Sequence, residues 1–150
     1  MRVAIGSDAR SALTDAVRDA LRERGHELIA FGAIEAEARP WPQIGRLVGQ
    51  AVASGLADTG IAMCWTATGV SIAANKVVGV RAALCGDAQT AAGARRWNDA
   101  NVLAISMRAT SIPVALEILD AWFSTSPSKE PDDRAAIDDV EPAARPKIKS

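Results

Sequence analysis

The chain reads as a single-domain α/β protein: a doubly wound, Rossmann-like, five-stranded parallel sheet with helices on both faces. Three observations predict this. Short apolar runs alternate with amphipathic stretches as far as about Thr125. Glycine or a turn cluster marks most changes of period. The 150 residues suffice for one core of the layered α/β kind.

Val3 to Gly6 is the first strand. Ala12 to Arg24 is an amphipathic helix with Leu13, Val17, Ala20 and Leu21 on one face. Gly25 ends it, and His26 to Phe31 is the second strand. A turn-rich stretch with Pro40 and Pro42 leads to a helix over Ile44–Ser54, stopped at Gly55. Asp58 to Cys64 is the third strand and Val70 to Lys76 a helix. Arg81 to Cys85, Ala88 to Arg96 and Asn101 to Ser106 are strand, helix and strand. Pro113 to Phe123 is a helix with proline in its first turn. From Ser126 to Ser150 prolines and mixed charge replace large apolar residues, so 1–125 reads as the domain and 126–150 as a polar, proline-rich tail. Within it, Ala135-Ala136-Ile137 fits a short helix against a partner subunit.

Seventeen basic against eighteen acidic residues leave a net charge of −1. That balance excludes the polybasic surface that nucleic acid or anionic membrane would select. No apolar run reaches bilayer-spanning length, and Met1 to Gly6 reads as a strand, not a targeting segment. Cys64 and Cys85 each end a strand-like run and read as reduced thiols. These features predict a cytoplasmic protein. The single histidine, His26, reads as a turn or surface residue. No Cys/His cluster has metal spacing and Gly6-Ser7-Asp8 lacks a dinucleotide fingerprint, so neither a structural zinc site nor a dinucleotide site is expected.

The most informative stretch runs from Cys64 to Lys76. Cys64 ends a strand, and Thr66-Ala67-Thr68-Gly69-Val70-Ser71 opens a helix. Ligands of open α/β sheets bind at the carboxyl ends of strands, and a helix N-terminus offers free N–H groups and partial positive charge to an anion. Such surroundings favour a thiolate. Cys64 therefore admits two readings, a base or nucleophile, or a small buried residue closing a strand.

Gly69-Val70-Ser71-Ile72-Ala73-Ala74-Asn75-Lys76 after a cysteine-threonine loop resembles the ribose 5-phosphate isomerase B and galactose 6-phosphate isomerase family. So do Gly79 to Cys85, Asn98 to Ala104 and the opening Val3 to Asp8. The resemblance spans Met1 to about Thr125. It implies an aldose–ketose isomerase that acts on a small sugar phosphate through a cis-enediol, without cofactor. It implies catalytic roles for Cys64 as base, Thr66 in the oxyanion loop and Asp8 in positioning the sugar. It extends substrate contact to Gly69, Ser71, Asn98 and Asp99, and implies a homodimer or dimer of dimers with sites between subunits. Asn75 stays open between a site role and tying the helix end to the next turn.

The chain departs from the family where chemistry is expected. Ala9 replaces a phosphate-side histidine. Cys64-Trp65-Thr66-Ala67 replaces Cys-Gly-Thr-Gly. Trp97 stands where a ring-opening histidine precedes Asn98-Asp99, and Trp41-Pro42 replaces a tyrosine-proline pair. The family's arginine-bearing tail motif is not recognisable around Arg134. Trp41, Trp65 and Trp97 are thus expected on one narrow, aromatic pocket, while Trp122 reads as core. Arg10 and Arg108 are candidate replacements for lost phosphate contacts. Two functions fit: an isomerase with a changed substrate, such as a tetrose phosphate that needs no ring opening, or a catalytically silent homologue that binds a ligand or partner through its tryptophans.

Overall fold

The computed structural model describes residues 1–141. Five parallel strands, β1 (Arg2–Ser7), β2 (Glu27–Gly32), β3 (Thr59–Cys64), β4 (Ala82–Leu84) and β5 (Val102–Ser106), form one sheet in the order β2-β1-β3-β5-β4. Six helices accompany them: α1 (Ala12–Glu23), α2 (Trp41–Ala53), α3 (Thr68–Asn75), α4 (Ala88–Asn98), α5 (Ile112–Ser124) and α6 (Pro131–Val140). The doubly wound class holds.

Chirality distributes the helices. β1 to β2 and β4 to β5 move one way across the sheet, and β2 to β3 and β3 to β4 move the other. Right-handed crossovers then put α1 and α4 on one face and α2 and α3 on the other. Two cores result. Val17, Leu21, Leu103, Ile118 and Trp122 fill the face shared with α5. Ala4, Ile44, Val48, Ala62 and Val70 fill the other. β3 is buried along its whole length, so its apolar sequence does not alternate. Trp122, 2% exposed, donates its indole N–H to Thr59 Oγ1 at 3.1 Å; it is core, as expected.

Element boundaries differ where caps decide them. α2 starts at Trp41, three residues before the expected Ile44. Pro40 is extended (φ −58°, ψ 146°), and Pro42 sits in the first turn, where its missing N–H costs nothing. α4 runs on to Asn98, and Asp99 ends it with φ 44°. In the expected tail, Ser128 N–H donates to Arg96 O at 2.8 Å. There the short helix expected around Ala135–Ile137 is α6, which packs on α4 of its own chain and buries Ile137. The rest of the tail, 142–150, lies outside the described residues.

Candidate active site

Crossover direction reverses after β2, so β1 and β3 flank a switch point at the sheet's carboxyl edge, where ligands of such folds bind. Ser7 pairs with Met63, and Cys64 with Ser106. This register brings Asp8, the Cys64–Ala67 loop and the Met107–Arg108 turn to one edge. Asp8, Cys64, Trp65, Thr66 and Arg108 therefore lie at the same carboxyl edge of the sheet.

Cys64 is 5% exposed and packs with Ala67 and Val70. It satisfies both readings, a buried strand end and a thiol beside a helix start. The turn into α3 depends on Ala67, at φ 63° and ψ −8°. A left-handed alanine costs about 1–2 kcal/mol relative to the right-handed region. No side chain caps α3, whereas Ser11, Asp87 and Ser111 cap α1, α4 and α5. Thr66 Oγ1 and Thr68 Oγ1 share a hydrogen bond of 2.7 Å with each other. The first-turn N–H groups of α3 stay available at the positive end of its dipole.

The loop peptides are held from β5. Met107 N–H donates to Cys64 O at 3.0 Å and Arg108 N–H to Trp65 O at 2.9 Å. Ser106 Oγ donates to Trp65 O at 2.8 Å and accepts from Ala109 N–H at 3.1 Å. Met107 Sδ accepts from the Ser11 hydroxyl at 3.7 Å and lies 3.7 Å from Ser7 Oγ, whose proton goes to Ala9 O at 2.7 Å; these contacts link the Asp8 turn to the cysteine loop. The sequence reading missed Ser106 and Met107. A polar residue closing an otherwise apolar strand was the available signal.

Asp8 Oδ1 is buried and has no hydrogen-bond partner among the described residues. Burial holds its carboxyl above the ordinary value, against the lowering effect of the Asp8 and Ala9 N–H groups. Arg10 is occupied by Asp15 at 3.0 Å. Arg108 is exposed and, among the described residues, forms no ion pair. Of the two arginines it is the one with its charge uncommitted.

The aromatic residues divide. Trp41 lies on the first turn of α3: a Cβ on Gly69 would sit 2.7 Å from its Cε3. Glycine at 69 thus serves the approach of an indole. Trp65 is 62% exposed. Ser71 sits half-buried in α3, its N–H on Ala67 O. Trp97, Asn98 and Asp99 are elsewhere. α4 runs antiparallel to the strands, so its end lies at the sheet's amino edge. There Trp97 and Asn98 line a cavity of about 650 Å³ with Val78 and Val140, while Trp41 lines another of about 500 Å³ between α2 and α3. Within one subunit the three tryptophans do not share a pocket, which corrects that expectation. The Asp99 carboxylate is taken up by Arg95, Arg81 and Arg134 at 3.4, 3.6 and 3.7 Å. Asn75 pairs with both backbone groups of Ala82, at 2.8 and 2.9 Å; of its two readings, the helix-end tie is the one seen.

A buried thiol and an uncapped helix start at the switch of a doubly wound sheet define the class: an α/β protein whose candidate site suits a small anionic ligand. Comparison with known proteins narrows that class. The chain belongs to the Ribose/Galactose Isomerase family, whose model matches residues 3–139. It is 43% identical over 103 residues to ribose-5-phosphate isomerase B of Escherichia coli, covering 69% of each chain. It is 33% identical over 125 residues to D-erythrulose-4-phosphate isomerase of Pectobacterium atrosepticum, covering 82% of each. The solved ribose 5-phosphate isomerase of Thermotoga maritima superposes with a TM-score of 0.86 at 34% identity, over 93% of this chain and 97% of that one. Among the described residues no helix is long and apolar enough to cross a membrane.

Proposed function

We propose that the protein interconverts an aldose phosphate and its ketose through a cis-enediol, with Cys64 as the base. The observation that carries this reading is the position of Cys64: it closes β3 beside the uncapped start of α3. The thiolate takes the proton from the carbon next to the carbonyl and returns it to the former carbonyl carbon. The hydroxyl proton passes between the two oxygens, so no atom is gained or lost. The N–H groups leading into α3 stabilise the enediolate oxygen; one such donor is worth about 3 kcal/mol. Asp8 holds a sugar hydroxyl, Ser71 and Thr66 line the reacting end, and Arg108 takes the phosphate. Trp41 and Trp65 form apolar walls.

The substrate in this reading is short. Trp97 cannot open a sugar ring by proton transfer, and a tetrose phosphate exists in open form. The similarity to an isomerase named for erythrulose 4-phosphate supports this. Within one subunit Trp97 and Asn98 line a cavity away from Cys64, so in this reading they join the Cys64 site from the second subunit of a homodimer. Two free cysteines suit a reducing compartment, the cytoplasm. The alternative is a silent homologue that binds a ligand or partner through its tryptophans, of which Trp65 is 62% exposed.

Proton exchange tests the reading. The protein is incubated in D2O with erythrose, erythrulose, ribose and ribulose phosphates, beside Cys64→Ala, and followed by NMR. Deuterium entering beside the carbonyl with the wild type, and at least about 100-fold slower with the variant, is expected. Binding without exchange for every sugar overturns it in favour of the silent homologue.

A further inference from the structure

We infer that Ser106 is a positioning residue for the enediolate site, a role that rests on the isomerase reading above. A peptide is planar and trans, so its N–H points opposite to its C=O. The Trp65 carbonyl is directed at β5 by two donors, Ser106 Oγ at 2.8 Å and Arg108 N–H at 2.9 Å. The Thr66 N–H, in the same peptide, is thereby turned away from β5. The Cys64 carbonyl is held the same way by Met107 N–H at 3.0 Å, which turns the Trp65 N–H in the same sense. Among the described residues neither N–H has a backbone acceptor. They are two donors fixed in direction and left without a partner, beside the thiol.

The loop needs such fixing. Ala67 sits in the left-handed region at φ 63°, and a strained residue persists only where its surroundings over-determine it. In the same loop Trp65 is 62% exposed and contributes little packing to hold the turn. Ser106 is 7% exposed and its hydroxyl is committed in both directions, donating to Trp65 O and accepting from Ala109 N–H. It joins the β5 turn to the cysteine loop. Donors aimed beforehand act on the transition state more than on the ground state, so the residue is expected to affect kcat and not KM.

Ser106→Ala, Ser106→Thr and Ser106→Cys are compared with wild type as intact chains, using the sugar phosphate turned over in the exchange assay. Ser106→Ala is expected to lower kcat about tenfold, the loss of one well-placed hydrogen bond, with KM within about twofold. Ser106→Thr, which keeps the hydroxyl, restores kcat, and Ser106→Cys, a weaker donor of similar size, falls between. Affinity for a four-carbon phosphohydroxamate, a planar enediolate mimic, falls in step with kcat/KM, whereas affinity for inorganic phosphate does not change. Wild-type kcat in folded Ser106→Ala overturns the assignment. So does an equal loss of affinity for mimic and phosphate, which denotes general loosening. If Ser106→Ala does not fold, the Thr and Cys variants decide by the same two ratios. No exchange by the wild type itself overturns the isomerase reading, and Ser106's role with it.

Discussion

The contact between Trp41 and Gly69 makes a prediction whose sign changes with background. A methyl added at Gly69 would lie 2.7, 2.8 and 3.1 Å from the Cε3, Cδ2 and Cζ3 atoms of the Trp41 ring. Carbon atoms settle near 3.5–4.0 Å, so in Gly69→Ala the ring must leave the first turn of α3. Trp41 is 44% exposed, so about half its surface, on the order of 120 Å², is at stake; at ~25 cal/mol/Å² that is up to about 3 kcal/mol. Against this, alanine gains about 0.5 kcal/mol over glycine in a helix. Gly69→Ala should therefore destabilise the wild type by about 1–2 kcal/mol, or ~3–6 °C in Tm for a chain of this size. In a Trp41→Ala background the obstacle is gone. There the same substitution should stabilise, by about 0.5 kcal/mol. Thermal unfolding of the four proteins at one fixed concentration measures the cycle. A Gly69→Ala shift of the same sign and size in both backgrounds would refute the reasoning. In the isomerase reading, kcat/KM should fall for Gly69→Ala and for Trp41→Ala, with no further fall in the double variant.

Three other outcomes follow from single residues. His26 stacks on Phe123 at 4.3 Å, and its Nδ1 is buried without a partner among the described residues. Burial first, then the N-terminal amine and Arg24, lower its pKa; stability is therefore present above the ordinary histidine pKa of about 6.5 and is lost as pH falls through the lower folded value. His26→Phe should remove that loss, and identical pH–Tm curves for the two proteins count against it. Asn75→Ala should cost about 1–2 kcal/mol, because both backbone groups of Ala82 lose their partner at an edge strand; unchanged denaturant midpoints would show that water replaces the side chain fully. Burial pushes the Cys85 thiol up to about 11, so iodoacetamide at pH 8 should leave Cys85 unlabelled in native protein and label it in urea; mass spectrometry of the digest reads this directly.

How much was readable in sequence depended on whether a signal was local. Helix and strand periods, the glycine stops and the apolar run of β3 are properties of neighbouring residues. They carried the α/β class and placed Cys64 at a strand end facing a helix start. Family motifs supplied a chemistry for that position. Boundaries set by caps were less readable, since Pro40-Trp41-Pro42 looks like a turn until Pro40 is seen to act as the N-cap. The helix at 131–140 was underestimated because five of its ten residues are charged and a single side chain, Ile137, is buried as it packs on α4.

The amino-acid sequence by itself determined which residues are candidates for chemistry and the order of elements that bears them, because hydrophobic period and turn chemistry act over a few residues. Only the tertiary structure decided which of those residues meet. Parallel strands put Asp8, Cys64 and Arg108 on one edge, and an antiparallel helix carries Trp97 to the other. The bond from Ser106 to the Trp65 carbonyl spans 41 positions of chain, and the direction of a peptide N–H is fixed by what its carbonyl meets, which no local pattern specifies.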